Sequence, residues 1–513
     1  MKQPRNETDP AELRPDNVCD AELLANVRPT NWTNPQPAPS YNLVVIGAGT
    51  AGLVTAAGAA ILGARVALVE KNLLGGDCLN FGCVPSKALL RAARFYNDLH
   101  HAPRFTGSAS VPSEVDFAAA MERMRRLRAQ ISGHDSAQRF KALGVDVFLG
   151  EADFVDRRSI KVAGATLKFK KAVVATGSRA ARPIIEGIEA AGYLTNETVF
   201  NLTERPQRLL VIGGGALGCE MAQAFARLGC EVIITNREPN FLPGEERDAA
   251  EILANAMRRD GVEVRLNTEV KSVTLEGGEK RVRLINDNQE TTVVVDEILA
   301  GVGRSPNVEG LNLEAAGVLY DQQHGVMVND YLQTSNRRIY AVGDVALERK
   351  YTHMADATAR IAIQNALFWG RKKLSSLTIP WCTYTDPEIA HVGLYAKECL
   401  EQGFPLKTFT VPMSDVDRAV LDGEEEGFVK IHVHEGTDTI LGATIVARHA
   451  GEMINEISLA MVAGIGLKTV SQVIHSYPTQ AEAIRKAGDA YNRSRLSPFL
   501  KALSGRWLAW SNW

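Results

Sequence analysis

The arrangement of apolar and polar residues becomes regular at residue 41, after a polar stretch at the N-terminus. An apolar, β-branched run from Leu43 to Ile46 leads into a glycine-rich turn, an alanine-rich segment and a second apolar run that ends at Glu70. Short apolar runs bounded by glycine indicate buried strands, and the longer alanine-rich segment between them indicates a helix. The pattern therefore predicts strand, turn, helix and strand in residues 41–70.

The same pattern recurs in residues 208–237, "RLLVIGGGALGCEMAQAFARLGCEVIITNR". In both copies the turn between strand and helix has the spacing GxGxxG, which in this context is typical of dinucleotide-binding folds. The first glycine permits the tight turn, the second lets a pyrophosphate approach the backbone, and the third lets the helix pack on the strand. The predicted nucleotide-binding glycines are Gly47, Gly49 and Gly52 in the first copy, and Gly213, Gly215 and Gly218 in the second.

The residue at the end of the second strand distinguishes the two copies. Glu70 stands 23 positions after Gly47, whereas Asn236, followed by Arg237, stands 23 positions after Gly213. A carboxylate accepts hydrogen bonds from a free ribose hydroxyl, whereas arginine can pair with a 2′-phosphate. The first fold therefore suits FAD or NAD, and the second favours NADPH over NADH unless Arg237 is an ordinary solvated arginine.

Length and composition limit the possible classes of protein. A chain of 513 residues suggests about three domains. The net charge of −3 does not favour a nucleic-acid partner. Neither a signal peptide nor an apolar run of membrane-spanning length is recognisable, so we expect a cytoplasmic protein. Residues 1–40 are rich in Pro, Asn and Asp, and we expect them to bury little and to form an extension or linker.

Two cysteines, Cys78 and Cys83, lie in the stretch "GGDCLNFGCVPSK" directly after the first fold. Their spacing does not match the close pairs of zinc sites, and no further ligand pair is evident. In a regular helix, residues five apart have Cα atoms roughly 8–9 Å apart, too far for a disulfide. A bridge would therefore need a distorted turn, which the neighbouring glycines allow, and strained bridges are readily reduced. Two buried free thiols are the alternative.

The order of these motifs resembles the class I pyridine nucleotide–disulfide oxidoreductases. The segments that carry the resemblance are "GAGTAG", "GGDCLNFGCVPSK", "VVATGSRA", "VIGGGALGCE", "GVGRSPN" and "IYAVGDV". The resemblance covers roughly residues 41–491, and the family includes glutathione reductase, dihydrolipoamide dehydrogenase and mercuric reductase. It implies an α/β fold of the glutathione reductase type, with two Rossmann-like dinucleotide-binding domains and a C-terminal α+β dimerisation domain.

The resemblance also implies a domain order and a homodimer whose active site takes residues from both subunits. FAD would bind the first fold and NAD(P)H the second. The expected segments are an N-terminal extension (1–40), an FAD domain in two parts (41–185 and 301–377), a nicotinamide-nucleotide domain (186–300), an interface domain (378–491) and a C-terminal tail (492–513).

Several residues acquire roles through the resemblance. Cys83 would be the thiol that lies against the flavin as a thiolate, and Cys78 would be the outer thiol that meets the substrate. Lys87 would lie near flavin N5 and pair with Glu220. A nearby cation or a helix N-terminus lowers the pKa of a thiol, which agrees with these roles. The further cofactor-binding positions that the resemblance implies are Gly76, Gly177, Gly303 and Asp344.

The C-terminal motif departs from the usual family pattern. In the family, a His-Pro-Thr-x-x-Glu motif supplies a general base for disulfide exchange, held by the glutamate. Here "HSYPTQAE" places Tyr477 before the Pro-Thr pair and retains Glu482, with His475 two residues earlier. A phenol with its ordinary pKa of about 10 is a poor proton shuttle near neutrality. Ordinary disulfide reduction would require His475 or water to replace the missing base.

Mercuric reductases resemble this chain in having tyrosine at that position. Reduction of a thiolate-bound metal ion needs ligand exchange and no base, and thiolates suit soft metals. Cys78 and Cys83 would then hold the metal only transiently, as substrate. The chain departs from that branch because it ends "GRWLAWSNW" without the usual cysteine pair, and because residues 1–40 contain only Cys19 instead of a metal-binding domain.

Three functions follow as hypotheses. The first is an NADPH- and FAD-dependent reductase of mercuric ion or a related thiol-bound acceptor. The second is a reductase of small disulfides or a dihydrolipoamide dehydrogenase-like enzyme. The third, a non-enzymatic flavoprotein module, is disfavoured because both cysteines, Lys87, Glu220 and Glu482 are present.

The tail from residue 492 lies beyond the resemblance. Apolar residues recur at helical spacing in "LSPFLKALSGRWLAW", with basic residues nearby. A basic amphipathic helix could contact a membrane surface. We expect instead that the tail packs on its own domain or on the dimer, because Ser504 and Gly505 should interrupt the helix.

Overall fold

A computed structural model of the chain describes residues 13–107, 115–287 and 289–511. They form two compact units. The first comprises residues up to 237 together with 261–377, and the second comprises 238–260 together with the residues from 378 onward. Residues 238–260 therefore cluster with the C-terminal part of the chain, although in sequence they lie between two strands of the first unit.

The helices follow in chain order: α1 (Val18–Val27), α2 (Thr50–Ile61), α3 (Gly76–Asn80), α4 (Cys83–His100), α5 (Pro103–Thr106), α6 (Phe117–Ser132), α7 (Ala137–Ala142), α8 (Ile188–Ala191), α9 (Ala216–Arg227), α10 (Arg247–Arg259), α11 (Thr352–Leu367), α12 (Ala396–Glu401), α13 (Asp417–Asp422), α14 (Ala450–Val462), α15 (Leu467–Val470), α16 (Glu482–Ser494) and α17 (Pro498–Ser511). Among the described residues, no helix is both long enough and apolar enough to cross a membrane.

The strands are β1 (Tyr41–Ile46), β2 (Val66–Glu70), β3 (Asp146–Leu149), β4 (Ala152–Asp156), β5 (Ser159–Val162), β6 (Ala165–Val174), β7 (Ser178–Ala180), β8 (Arg208–Ile212), β9 (Glu231–Thr235), β10 (Val262–Arg265), β11 (Thr268–Glu276), β12 (Glu279–Asn286), β13 (Gln289–Val295), β14 (Glu297–Ala300), β15 (Arg304–Pro306), β16 (Tyr320–Asp321), β17 (Gly325–Val326), β18 (Ile339–Ala341), β19 (Pro380–Thr383), β20 (Glu388–Gly393), β21 (Leu406–Pro412), β22 (Phe428–His434) and β23 (Ile440–Ala447).

The first glycine motif lies at the end of β1, in a sheet with the order β3-β2-β1-β6-β5-β4 and with β18 beside β6. The strands β3, β2, β1, β6 and β18 are parallel, whereas β4 and β5 form an antiparallel extension. Strand β2 is completely buried, as expected for a parallel strand covered on both faces. Helix α2 follows β1 and crosses to β2, which is the predicted strand, turn, helix and strand unit.

The second glycine motif follows β8, in a parallel sheet with the order β10-β9-β8-β14. An antiparallel three-stranded sheet of β11, β12 and β13 belongs to the same unit. The repeated hydrophobic pattern in residues 41–70 and 208–237 therefore corresponds to two Rossmann-like units. The predicted α/β class is confirmed for the first unit.

The second unit is built on an antiparallel sheet with the order β19-β20-β23-β22-β21. Helix α14 packs on β20 and β23, while α16 packs on β21 and β22. Their apolar faces share one core with the strands, which includes Ile431, Ile445, Ile457 and Ile484, all without solvent exposure. The predicted α+β character of the C-terminal part is thus confirmed.

The expectation that the N-terminal segment buries little is wrong for its described part. Helix α1 buries Leu23 and Val27, and Asn34 exchanges two hydrogen bonds with the backbone of Leu149 at 2.8 and 3.0 Å. Asn17 begins the helix, because its side-chain oxygen accepts hydrogen bonds from the N–H groups of two following residues. The segment therefore packs on the first unit even though its average composition is polar.

The C-terminal tail also departs from expectation. Helix α17 is continuous through Ser504 and Gly505, and no described residue of it is buried. The hydroxyl of Ser504 donates to the carbonyl of Leu500 at 2.5 Å, a bond within the helix. Neither the predicted interruption nor packing on its own domain is found.

Candidate active site

The first glycine turn brings backbone segments closer than side chains would permit. Gly47 has φ +100°, and a Cβ atom there would lie 2.4 Å from the carbonyl oxygen of Ala175. A Cβ atom on Gly52 would lie 1.8 Å from the carbonyl oxygen of Gly47. Helix α2 and the end of β6 can therefore approach this turn only because both positions are glycine.

Glu70, at the end of β2, lies beside this turn and is buried. One carboxylate oxygen accepts a hydrogen bond from the N–H of Ala48, and the other accepts one from Asn72, both at 2.7 Å. Burial raises the pKa of Glu70, and the two N–H donors oppose that rise. The carboxyl group is therefore held in one orientation at the mouth of the glycine turn.

These residues fit FAD, the dinucleotide that the resemblance implies for this fold. Each oxygen of Glu70 uses one lone pair on a backbone N–H and keeps another for a ribose hydroxyl. Gly49 begins α2 without a side chain over the helix N-terminus, where backbone N–H groups favour a pyrophosphate.

The cysteine stretch forms two successive helices, α3 and α4, which are separated by Phe81 and Gly82. Cys78 lies in α3, and Cys83 is the first residue of α4. The side chain of Asn80 closes the turn by donating to the carbonyls of Leu74 and Gly76 at 3.0 and 2.8 Å. The distortion that a close approach of the two thiols requires is therefore present, and Cys83 lies at the N-terminus of an 18-residue helix.

The two thiols have opposite tendencies to ionise. Both are unbridged in the structure. The hydrogen bond between them raises the pKa of Cys78, and burial adds to the rise. The same hydrogen bond lowers the pKa of Cys83 to about 6, and the hydroxyl of Thr352 and the charge of Lys87 act in the same direction against burial. Cys83 is therefore the thiolate and Cys78 the thiol near neutral pH.

Lys87 and Glu220 form the ion pair that the resemblance implies. Their Nζ and Oε2 atoms are 2.8 Å apart, and the Glu220 side chain is almost fully buried. Lys87 lies one turn after Cys83 on α4, while Glu220 lies on α9 behind the second glycine motif. The pair connects the helix of the cysteine stretch to the second nucleotide fold.

Asp344 belongs to a network that includes the residue next to Cys78. Asp344 accepts a hydrogen bond from Ser178 at 2.7 Å, and Arg304 donates to the same hydroxyl at 2.7 Å. Arg304 also pairs with Asp77 at 3.2 Å. Burial raises the pKa of Asp77, and the charge of Arg304 opposes this rise.

The predicted glycines Gly177 and Gly303 lie directly before two short paired strands of this network. Gly177 precedes β7 and Gly303 precedes β15, and these strands pair antiparallel. Gly76 lies on the other side of the first glycine turn, where a Cβ atom would be 2.6 Å from the Cα of Gly49. The structure therefore brings Gly76 against the predicted FAD turn.

The second glycine turn repeats the geometry of the first. A Cβ atom on Gly213 would lie 2.3 Å from the carbonyl oxygen of Gly301, and one on Gly218 would lie 2.0 Å from that of Gly213. Gly215 instead faces open space and begins α9 without a side-chain cap. These features fit the pyrophosphate of a nicotinamide dinucleotide.

Asn236 and Arg237 follow β9, as predicted. Asn236 lies beside the second turn, because a Cβ atom on Gly214 would contact its side chain at 3.4 Å. The exposed guanidinium of Arg237 lies 3.5 Å from the carboxylate of Glu269, which also pairs with Lys271 at 2.7 Å. Arg237 is thus exposed to solvent, and it belongs to a charged cluster with Glu269 and Lys271.

Tyr477, His475 and Glu482 lie in the second unit. The Tyr477 hydroxyl donates to Asp417 at 2.7 Å, and this hydrogen bond raises the pKa of the exposed phenol. Glu482 pairs with Arg485 at 2.7 Å through one oxygen, while its other oxygen is buried without a hydrogen-bond partner among the described residues. Tyr477 therefore pairs with an aspartate and not with the glutamate of the motif.

Both ring nitrogens of His475 face oxygen acceptors. Nε2 lies 2.9 Å from a carboxylate oxygen of Glu456, and Nδ1 lies 3.1 Å from the carbonyl oxygen of Val473. The ring is therefore held between two oxygen atoms of the second unit, and neither of its nitrogens faces away from an acceptor.

Sequence reasoning missed Thr352, whose hydroxyl lies 3.2 Å from the Cys83 sulfur, and the network residues Asp77, Ser178 and Arg304. Asp77 and Arg304 lie inside the quoted motifs, so their positions in the sequence could have marked them as candidate site residues. Thr352 is 269 residues from Cys83 and carries no such signal.

Comparisons with known proteins agree with this geometry. The profile described as "Pyridine nucleotide-disulphide oxidoreductase" matches residues 41–364, and the profile of the corresponding dimerisation domain matches residues 379–488. The second match indicates a homodimer.

Individual relatives have different names. A mercuric reductase of Staphylococcus aureus is 34% identical over 89% of this chain and 84% of its own length. A dihydrolipoyl dehydrogenase of Thermus scotoductus is also 34% identical, over 89% of this chain and 98% of its own. Among solved structures, the HOCl-induced flavoprotein disulfide reductase RclA from Escherichia coli is similar, with a TM-score of 0.79 and 28% identity over 88% of this chain and 99% of its own.

Proposed function

The chain belongs to the pyridine nucleotide-disulphide oxidoreductase family, and we propose that it is an NADPH-dependent flavoprotein that reduces thiolate-bound mercuric ion or a related soft metal ion. The family is FAD-dependent and uses a pyridine nucleotide. The observation that carries the finer proposal is the replacement of the usual imidazole base by Tyr477, whose hydroxyl is committed to Asp417.

In this proposal FAD, when bound, passes reducing equivalents from NADPH to the cysteine pair. Glu70 and the first glycine turn would hold its adenosine and pyrophosphate, and Asp344 would contribute to the same site. The second glycine turn would bind the nicotinamide nucleotide. Lys87, fixed by Glu220, would keep a positive charge near Cys83 and so favour its thiolate.

Soft-metal reduction uses the chemistry that Cys78 and Cys83 offer. The two sulfurs would replace the thiolates that carry the metal ion, a ligand exchange that thiolates perform well. NADPH gives up a hydride and becomes NADP⁺, and Hg(II) takes the two electrons and becomes Hg(0). The proton that remains when the hydride has given up its two electrons, together with one proton from solvent, converts the two released thiolates to thiols, so that atoms and charge balance.

Disulfide reduction needs a proton-transfer group, and the geometry of the second unit does not favour one. The outer thiol must exchange with the substrate disulfide, and the leaving thiolate needs a proton from a nearby acid–base group. Tyr477 has a raised pKa, and His475 has both nitrogens directed at acceptors. Both features support an acceptor that needs no such group.

A disulfide or dihydrolipoamide substrate is the second candidate. The observation that favours it is the equal identity, 34%, to the dihydrolipoyl dehydrogenase of Thermus scotoductus. Replacing Tyr477 by His distinguishes the two candidates. We expect Tyr477→His to raise disulfide turnover by at least about tenfold, less than the roughly 100- to 10,000-fold that an optimally placed general acid–base group contributes.

Tyr477→Phe is the matched control, because it removes the hydroxyl and adds no base. It should leave disulfide turnover low. If Tyr477→His and Tyr477→Phe have the same disulfide turnover, the missing imidazole is not what limits the reaction, and the argument from Tyr477 fails.

The primary test is an anaerobic NADPH titration of the flavin-loaded protein, followed by absorbance. It is repeated with mercuric ion plus excess thiol and with a panel of disulfides. We expect NADPH consumption with the metal ion, complete loss of it in Cys83→Ala, and little change in the control Cys382→Ala. Turnover with a disulfide together with inhibition by mercuric ion would contradict the proposal.

A further inference from the structure

Helix α17, near the C-terminus, exposes a large apolar surface. Every described residue from Arg493 to Ser511 is exposed, and the bulky apolar side chains of the helix are between 46% and 74% exposed. These side chains are Phe499, Leu500, Leu503, Trp507, Leu508 and Trp510. Exposed apolar side chains of this size in one segment usually mark an interaction surface.

Most of these side chains share one face of the helix. At 100° per residue, Phe499, Trp510, Leu503, Trp507 and Leu500 fall within an arc of about 100°, whereas Leu508 lies outside it. Arg506 borders the arc on one side, and Lys501 lies toward the opposite face. The rings of Trp507 and Trp510 have centroids 5.4 Å apart. The helix therefore has an apolar strip that contains two indoles, with one cation, Arg506, beside it.

The charge of the tail has one sign. Residues 492–513 contain four cations, Arg493, Arg495, Lys501 and Arg506, and no Asp or Glu. The chain as a whole carries a net charge of −3, so the positive charge is a local property of this segment. A surface that complements it must offer apolar contact and negative charge together.

We propose that α17 binds the surface of an anionic phospholipid bilayer. Lipid phosphates would neutralise the four cations, and the apolar strip with Trp507 and Trp510 would enter the boundary between headgroups and acyl chains. Tryptophan is enriched at that boundary because its ring combines an apolar body with an N–H donor. This inference concerns where the enzyme acts and does not depend on which acceptor it reduces.

The dimensions of α17 agree with binding along the surface. Fourteen residues form a helix about 21 Å long, which is shorter than the hydrocarbon core of about 30 Å. Pairing of two copies of α17 would bring four cations together, Lys501 and Arg506 of each copy, without a counter-ion on either helix, which opposes tail-to-tail association. Lipid headgroups supply the missing negative charge.

The test uses the full-length, flavin-loaded protein and sedimentation with lipid vesicles. One set of vesicles is phosphatidylcholine, and the other also contains about 30% phosphatidylglycerol to provide negative charge. We expect binding to the second set only, and loss of most binding at about 0.5 M salt, because salt screens the attraction between exposed charges.

Two double variants examine the two parts of the interaction. Lys501→Glu with Arg506→Glu reverses two charges, and Trp507→Ala with Trp510→Ala removes the indoles. Each pair should weaken binding to the anionic vesicles by at least about tenfold. Matched controls lie elsewhere on the surface: Lys161→Glu with Lys168→Glu for charge, and Trp369→Ala for an exposed indole. The controls should bind like the unmodified protein.

Two outcomes would overturn the proposal. One is equal sedimentation of the tail variants and the controls, which would place binding elsewhere on the protein. The other is absence of vesicle binding together with a weaker homodimer in Trp507→Ala with Trp510→Ala, measured by analytical ultracentrifugation. That result would show that α17 packs on a second copy of the chain. NADPH turnover of each variant serves as the control for folding.

Discussion

At the scale of single residues, the cysteine pair is defined by an asymmetric hydrogen bond. Cys78 is held as the thiol donor and Cys83 as the acceptor, with the hydroxyl of Thr352 and the charge of Lys87 on the side of Cys83. A thiolate is the reactive form of cysteine. Cys83, the inner cysteine, therefore carries the negative charge, while Cys78, the outer cysteine, keeps its proton.

This asymmetry predicts a pH dependence of the reduced enzyme. Because the pKa of Cys83 is about 6, the long-wavelength absorbance of a thiolate beside the flavin should be complete near pH 8 and fall as pH decreases through 6. About one-tenth of it should remain near pH 5. The measurement is a pH titration of the reduced, flavin-loaded protein.

Thr352→Val supplies the comparison for this titration, because it removes one donor to Cys83 and keeps the shape of the side chain. Its midpoint should move to higher pH. The neighbouring substitution His353→Gln, in the same turn of α11, leaves the hydroxyl of Thr352 in place and serves as control. An unchanged midpoint in Thr352→Val would exclude a role for that hydroxyl in stabilising the thiolate.

Arg237 predicts the choice between NADPH and NADH. Arg237→Ala should raise KM for NADPH about 10–100-fold, because a charge-assisted bond to phosphate is lost, and should leave KM for NADH nearly unchanged. Steady-state kinetics with both nucleotides measure the effect. Arg265→Ala, which removes a cation that pairs with Glu263 at the end of β10, is the control. Equal effects on both nucleotides would contradict a contact with the 2′-phosphate.

Residue-scale prediction from sequence could reach only residues that a motif contains. Cys78, Cys83, Lys87 and Glu220 all lie within the quoted segments, and the structure brings the last two into contact. Thr352 could not be found in this way, because its contact with Cys83 depends on how α11 approaches α4 in space. Tertiary contacts between distant segments leave no local pattern in one sequence.

At the scale of elements, α1 is joined to α6 by a buried ion pair that also reaches the cysteine turn. Asp20 and Arg128 are 2.9 Å apart, and each side chain is 1% exposed. Arg128 also donates to the carbonyl of Asn80 at 3.0 Å, at the end of α3. The N-terminal helix therefore neutralises a buried cation that holds the backbone beside Cys78.

Loss of this pair should be costly. Asp20→Ala would leave the guanidinium of Arg128 buried without its counter-ion, and we expect the free energy of unfolding to fall by about 3–5 kcal/mol. Urea unfolding of the first unit, followed by flavin fluorescence, measures the change. Glu22→Ala, on the exposed side of the same helix, should cost less than about 0.5 kcal/mol. Similar losses in the two variants would contradict this account.

Element-scale prediction depended on periodicity. Both strand, turn, helix and strand units were predictable, because apolar runs and glycine spacing occur together there. Helix α1 was not, because the average composition of residues 1–40 hides a capped helix that buries only a few side chains. Helix α17 was misjudged for a related reason: Ser504 and Gly505 have low helix propensity, yet they do not interrupt the helix.

At the scale of the whole molecule, residues 238–260 are tied to the C-terminal sheet by charge. Glu246 pairs with Lys430 at 2.6 Å and with His432 at 2.9 Å, and all three side chains are largely buried. Burial alone would raise the pKa of Glu246, but the hydrogen bonds from His432 and Lys430 lower it to about 2. Glu246, directly before α10, is therefore a buried link between this segment and the C-terminal sheet.

This carboxylate predicts acid sensitivity of the second unit. Because its pKa in the folded protein lies below the ordinary value of 4.5, its stabilising effect is complete above pH 4.5 and is lost as pH falls toward 2. Glu246→Gln should lower the free energy of unfolding by about 2–3 kcal/mol at pH 7 and by less near pH 3. Urea unfolding at the two pH values measures this.

Glu425→Gln, an exposed position of the same unit, is the control and should change little at either pH. A loss in Glu246→Gln that is the same at pH 7 and pH 3 would exclude the carboxylate as the source. The grouping of residues 238–260 with the C-terminal sheet could not be derived from the sequence. It depends on pairs such as Glu246 and Lys430, which are 184 positions apart.

The contact between Gly49 and Gly76 bears on whether the cysteine stretch, residues 75–87, could be transferred to another dinucleotide-binding fold. A methyl group at position 76 would come within 2.6 Å of the backbone of the dinucleotide loop, whereas one at position 49 would meet the opposite backbone at an ordinary 3.7 Å. The close approach of the two segments therefore requires glycine at position 76 but not at position 49. In a graft of residues 75–87 onto another dinucleotide fold, packing alone requires glycine in the transplanted segment, whereas the recipient loop needs its glycine for the pyrophosphate.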